Sequence, residues 1–212
     1  MSVIKAVLFD FGGVLAEEGF REGLKAVGKI AGFDPERFFA KARKLVYDCG
    51  YTSGRATEAE YWRRLREQTQ VELTDAEMRV EILGRFVLRP AVLDFAGTLR
   101  ARGLKVAILT DQTNWIEEIN ARTPFYGQFD YVFNSFRISR TKRDPAVFTD
   151  VCRIMGVEPA EALFIDDNPG HVSRAGSVGL VTILFTDVPD MLAEAEKVLG
   201  DGPRRGMDDD PH

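Results

Sequence analysis

Ile4, Ala6, Val7, Leu8 and Phe9 form a short apolar run that stops at Asp10-Phe11-Gly12-Gly13. A run of this length ended by turn glycines predicts a buried strand over residues 3–9. From about residue 18 to 88 only helical signals follow. Phe38, Phe39, Ala42, Leu45, Val46 and Cys49 fall on one helical face, with Asp34 placed to cap the start, Pro35 in the first turn and Gly50 beyond the end. Thr57 with Glu60, and Thr74 with Glu77, have capping-box spacing and open two further helices.

After Pro90 helix and strand alternate. A helix through Leu93–Leu99 runs toward Arg102-Gly103, and strands are predicted at Lys105–Thr110, Tyr131–Asn134, Ala162–Ile165 and Val181–Phe185. Helices lie between them: one opens at Asp144-Pro145 and ends at Gly156, one leads to Gly179, and the last spans about Pro189–Leu199. This order predicts an α/β fold in which right-handed crossovers build a doubly wound, mostly parallel sheet that includes the first strand. Residues 1–16 and 89–200 would form that core and 17–88 an inserted all-helical domain. The tail 201–212 has almost nothing to bury and is expected to be disordered.

Composition narrows the partners. At 212 residues the chain can bury one sizeable core with a smaller appended domain. A net charge of −5 without a basic block argues against nucleic acid or an anionic membrane, and any anionic substrate would need local positive charge. Cys49 and Cys152 lie within helical patterns and form neither a disulfide framework nor a zinc spacing. With no signal-peptide cleavage pattern and no apolar span, a cytoplasmic location is expected.

Candidate chemistry collects at strand ends. Asp10, taken alone, reads equally well as a helix cap or turn aspartate, or as a carboxylate facing the ligand crevice of a parallel sheet. Thr110 and Asp111 close a second strand and Asp166-Asp167 a third, while Lys142 precedes the Asp144-Pro145 helix. Each has a plain structural explanation. The adjacent Asp166 and Asp167 repel each other unless a cation or proton lies between them, so the pair, aimed at Asp10, points to a hard metal ion such as Mg²⁺.

The order Asp10, Thr110, Lys142, Asp166-Asp167, with a helical insert after the first strand, resembles the haloacid dehalogenase (HAD)-like hydrolases in their phosphatase branch. Ser135, Lys142, Asp144, Pro145 and Phe148 match the stretch around that family's lysine. Leu163–Asn168, followed by Ala175 and Gly179, matches its acidic motif. The resemblance reaches to about Gly200 and implies a Rossmann-like core with a helical cap. It implies Asp10 as the nucleophile that forms an aspartyl-phosphate, and Thr110 and Lys142 as phosphate-binding and charge-offsetting groups. Mg²⁺ would be held by Asp10, the Gly12 carbonyl and Asp167, with Asp166 acting through water.

Two positions depart from the pattern. Most phosphatases of the family carry a second aspartate two residues after the nucleophile, as acid and base, where this chain has Gly12. The loss falls hardest on substrates whose leaving group needs a proton. Asp111 replaces a more usual asparagine; beside phosphate a protonated carboxyl there would donate to substrate, or else Asp111 caps the helix near Asn114. The expected activity is Mg²⁺-dependent hydrolysis of a small phosphorylated metabolite by a monomer or homodimer. The alternatives are a 2-haloacid dehalogenase, which also lacks the second aspartate, and a catalytically weakened binding protein. Arg21 and Arg55 are possible contacts to a second anionic group, and Phe38, Phe39, Tyr61 and Trp62 read as cap core.

Overall fold

The computed structural model of the chain describes residues 3–200, so the tail 201–212 lies outside the described residues. Five strands, β1 (Ala6–Phe9), β2 (Lys105–Thr110), β3 (Tyr131–Asn134), β4 (Ala162–Asp166) and β5 (Val181–Leu184), form one sheet in the order β3-β2-β1-β4-β5. Every neighbouring pair is parallel. Alternation along each strand divides the core between the two faces of the sheet. Val7, Phe9, Val106, Ile108, Leu163 and Ile165 face one side, where helices α5 (Pro90–Ala101) and α10 (Val188–Leu199) contribute Val92, Phe95, Leu99 and Met191. Ala6, Leu8, Ala107, Leu109 and Phe164 face the other, against α8 (Ala146–Met155) and α9 (Pro169–Ser177). Helices on both faces make the sheet doubly wound, as the alternating pattern predicts.

Between β1 and β2, before α5, the chain forms α1 (Gly19–Ile30), α2 (Pro35–Asp48), α3 (Glu58–Thr69) and α4 (Asp75–Leu83). Asp34 caps α2 by accepting from the Arg37 N–H at 2.8 Å. Thr74 and Glu77 complete a reciprocal capping box on α4. Thr57 caps α3 through the Glu60 N–H, but the Glu60 carboxylate turns to Arg64 instead, so the box there is half formed. Two short helices, α6 (Trp115–Arg122) and α7 (Ser135–Ile138), follow β2 and β3. Among the described residues no helix is long and apolar enough to cross a membrane.

Arg89 anchors the chain where it returns from the helical segment. Its guanidinium donates to the carbonyls of Gly13, Val14 and Ala16 at 2.7, 3.0 and 2.8 Å, and to Glu17 at 2.9 Å. The loop that leaves β1 is thereby tied to the start of α5. That loop begins at Asp10.

Candidate active site

The register of the sheet decides which side chains meet. Phe9 lies level with Ile165 in β4 and with Ile108 in β2, so Asp10, Asp166 and the end of β2 reach the same carboxyl edge. The Asp10 N–H donates to Ile165 O at 2.9 Å, which extends the ladder one residue beyond β1. Asp10 Oδ1 accepts from the Phe11 N–H at 2.7 Å and from Lys142 Nζ at 2.9 Å. Among the described residues Oδ2 has no hydrogen-bond partner, so one carboxylate oxygen is fixed and the other is free to face the crevice.

Lys142 is buried, and its ammonium lies between Asp10 and Asp166, 2.5 Å from Asp166 Oδ2. Burial disfavours the ammonium, but Asp10, Asp166 and Asp111 outweigh it and raise the lysine above its ordinary value. Asp166 is placed behind Lys142. Its Oδ1 accepts from the Asn168 N–H at 2.7 Å, and its Oδ2 also meets His171 Nδ1 at 3.1 Å. Burial opposes the Asp166 charge, yet Lys142 and His171 prevail and hold its pKa down at about 2. Asp10, in contrast, is raised, because burial and its acidic neighbours Asp166 and Asp167 exceed the effect of Lys142.

Asp10, Asp166 and His171 place ligand atoms within 4.8 Å of one another. Lys142 Nζ takes Asp10 Oδ1 and Asp166 Oδ2, and His171 meets the same Asp166 oxygen, so these facing atoms form a charge network that positions Lys142 and leaves Asp10 Oδ2 outside it. Asp166, expected to reach a metal through water, has both oxygens engaged. The other acid of the pair faces the crevice. Gly13 has φ +89°, and a Cβ there would fall 2.5 Å from the Asp167 carboxyl carbon, so only glycine lets this carboxylate lie against the β1 loop. Burial and Asp166 raise Asp167 from its ordinary value. The Asp10 and Asp167 carboxylates and the backbone at Gly12 all line the crevice and offer hard oxygens of the kind Mg²⁺ takes.

The crevice has a volume of about 90 Å³. Thr110 and Asp111 line it from the end of β2, Gln112 and Thr113 from the loop beyond, and Glu18, Phe20 and Arg21 from the start of α1. A second face of α2, carrying Phe39, Arg43, Val46 and Tyr47, closes it. Phe39, only partly buried, packs against the core and also lines the crevice, whereas Phe38, Tyr61 and Trp62 are buried in the core. Arg21 reaches the crevice. Arg55 instead bonds Ser53 Oγ at 3.0 Å and is not among the lining residues.

Asp111 neither caps α6 nor stands free. Its Oδ1 accepts from the Lys142 N–H at 2.8 Å and its Oδ2 from the Tyr47 hydroxyl at 3.2 Å, while Asn114 occupies the α6 cap position and its side chain makes no capping bond to the helix. Both carboxylate oxygens are acceptors here, which leaves the expected proton-donor role without a free oxygen. The Arg143 guanidinium stacks 3.5 Å from the Tyr47 ring centroid and secures that tyrosine. Sequence reasoning missed Glu18, Arg43, Tyr47 and His171. Arg43 and Tyr47 carry a helical i, i+4 signal with Phe39, whereas His171, one of two histidines, has no motif around it.

The haloacid dehalogenase-like hydrolase family matches residues 4–179. Among curated relatives, the porcine (Sus scrofa) bifunctional epoxide hydrolase 2 is 26% identical over 93% of this chain, which spans only 39% of that relative's length. D-ribitol-5-phosphate phosphatase of Bacteroides thetaiotaomicron is 24% identical over 93% of this chain and 99% of its own. The crystal structure of a HAD family enzyme from the same organism, in complex with magnesium and inorganic phosphate, superposes with a TM-score of 0.70. It is 22% identical and covers 89% of this chain and 98% of its own. With the family matched over most of its length, and the sheet and strand order in place, this chain belongs to the haloacid dehalogenase-like hydrolases.

Proposed function

We propose that the protein is a Mg²⁺-dependent phosphatase that hydrolyses a small phosphorylated metabolite through an aspartyl-phosphate on Asp10. The observation that carries this reading is the division of labour within Asp10. Oδ1 is held by Lys142 and the Phe11 N–H, while Oδ2 is left free at the mouth of the sheet. A nucleophile needs that arrangement of one anchored and one attacking oxygen. Lys142 would offset charge on the transferring phosphoryl group, and the Thr110 hydroxyl would bind one of its oxygens.

Charge supports the metal. Asp10, Asp111 and Asp167 line the crevice against Arg21, Arg43 and Lys142, so even with Glu18 protonated the lining carries no net positive charge where a phosphate dianion has to bind. A divalent cation on Asp10, the Gly12 carbonyl and Asp167 reverses that balance; when bound, it would neutralise phosphoryl charge. The same lack of net positive charge disfavours a 2-haloacid dehalogenase, whose carboxylate substrate would bind there without a metal to compensate it. The names of relatives agree with this reading, since phosphatases of D-ribitol 5-phosphate and glyceraldehyde 3-phosphate are among them.

Residues 17–88 would act as the cap, with α1 and α2 setting substrate size and charge through Phe39, Arg21 and Arg43. A panel of phosphate monoesters assayed with Mg²⁺ and with EDTA tests the proposal. Phosphate release that requires Mg²⁺ and disappears in Asp10→Asn is expected. Halide release from 2-haloacids without Mg²⁺, or no turnover by the folded, metal-replete protein, would overturn it.

A further inference from the structure

Hydrolysis of a monoester with a poor leaving group requires a proton at the departing oxygen, and the crevice has few carboxylates free to supply it. Asp10 attacks, and Asp111 accepts hydrogen bonds at both oxygens. Asp167 lies against Gly13 among the hard oxygens assigned to the metal. Glu18 remains. It enters from the residue preceding α1, lines the crevice, and directs its two oxygens differently. Oε2 lies 3.5 Å from Arg21 Nη2, whereas Oε1 points at Gly12: a Cβ built on that glycine would stand 3.3 Å from it. Gly12 does not have a left-handed backbone, so the absence of a side chain there is not forced by conformation. The nearest atom to the space that such a side chain would fill is the Glu18 carboxylate oxygen, with Gln112 Nε2 next at 3.5 Å and the Phe86 ring at 3.7 Å.

We propose that Glu18 is the catalytic acid and base of this enzyme, delivered from the helical segment into the position left open by Gly12. The inference rests on the phosphatase reading above. In the first step Asp10 Oδ2 bonds to phosphorus as the ester P–O bond breaks, and the leaving oxygen takes the Glu18 proton. In the second step the Glu18 carboxylate takes a proton from water, whose oxygen bonds to phosphorus. The electron pair of the Asp10–phosphorus bond returns to Asp10, and Glu18 is again protonated. Because the acid belongs to the segment that also lines the substrate side of the crevice, catalysis and substrate fit are set by one element.

The test compares wild type, Glu18→Gln, Glu18→Ala, Gly12→Asp and Gly12→Asp/Glu18→Ala, all with Mg²⁺, on p-nitrophenyl phosphate and on the fastest alkyl monoester of the panel. In Glu18→Gln, alkyl turnover should fall by about 10²–10⁴-fold. p-Nitrophenyl phosphate should instead give a burst of nitrophenol stoichiometric with enzyme, followed by slow turnover, because its leaving group needs no proton but the second step still needs a base. Gly12→Asp should restore alkyl turnover at least about tenfold in the Glu18→Ala background and give no gain in wild type, where Glu18 is already the acid. Equal losses on both substrates without a burst would overturn the role of Glu18, as would an equal effect of Gly12→Asp in both backgrounds. A wild type active on aryl but on no alkyl monoester would do the same. A wild type inactive on both substrates would overturn the phosphatase reading itself.

Discussion

At the residue scale, the site consists of carboxylates made different by their neighbours. Asp166 is held ionised by Lys142 and His171, Asp10 is anchored at one oxygen, and Asp111 joins the Lys142 backbone to Tyr47. Asp111→Asn should therefore act through position and not through proton transfer. Replacing a charged acceptor should lower kcat/KM about tenfold, by the same factor for alkyl and aryl phosphates. A loss confined to alkyl phosphates would return the donor role to Asp111. Asp10, Thr110, Lys142 and Asp167 were legible in the sequence because each ends a strand or sits in a motif of fixed spacing. Glu18 and Tyr47 were not, because their meaning depends on how the helical segment lies over the sheet edge, which no local pattern encodes. The resemblance already separated Asp167 from Asp166, but the pairing of Asp166 with Lys142 was hidden: adjacent residues on a strand end point to opposite sides, and only the placement of Lys142 shows which one it neutralises.

At the element scale, strands and helices fell close to the positions expected from apolar runs and capping signals. The β2 and β3 bounds coincide with those expected, and β5 is one residue shorter. What the periodicity of α2 concealed is that the helix has two useful faces. Phe38, Ala42 and Leu45 enter the core, while Phe39, Arg43 and Tyr47 look into the crevice. A hydrophobic stripe cannot distinguish a core from a substrate wall, since both exclude water. The connection that leaves β1 depends on Arg89, whose three carbonyl contacts are long-range and so absent from any motif. Arg89→Met strands the Gly13 and Val14 carbonyls in a partly buried place, while Ala16 O keeps the Gly13 N–H. A loss of about 2 kcal/mol is expected, a fall in Tm of roughly 4–8 °C by thermal denaturation. An unchanged Tm would show that water replaces the clamp without cost.

For the molecule as a whole, the helical segment and the sheet share one apolar core. The cluster on the α5 face of the sheet runs without a break from Phe9 and Ile165 to Tyr51, Tyr61, Trp62 and Trp115. Trp62 and Trp115 stack with centroids 5.7 Å apart, and Tyr51 meets Trp115 edge-on at 5.9 Å. Polar ties cross the same boundary: the Tyr51 hydroxyl donates to Asn114 Oδ1 at 2.6 Å, and Ser135 Oγ to Thr52 O at 2.7 Å. This continuity predicts one cooperative unfolding transition, with calorimetric and van't Hoff enthalpies equal. Trp115→Ala should cost about 3–5 kcal/mol and leave the transition single. Two separate transitions would show that the segment is held only loosely. Tight attachment also fixes Glu18 and α2 against the sheet edge, so that the crevice exists before substrate arrives.

Asp10 joins all three scales, as a residue with one free oxygen, the end of the central strand, and the point where sheet and helical segment meet. The direct test of its role is rapid acid quench of the Mg²⁺-loaded enzyme during turnover of a ³²P-labelled aryl phosphate, followed by peptide mapping. Hydroxylamine-labile label on the peptide containing Asp10, absent from Asp10→Asn, is the predicted result. Turnover without protein-bound label, or label on another residue, would contradict the account.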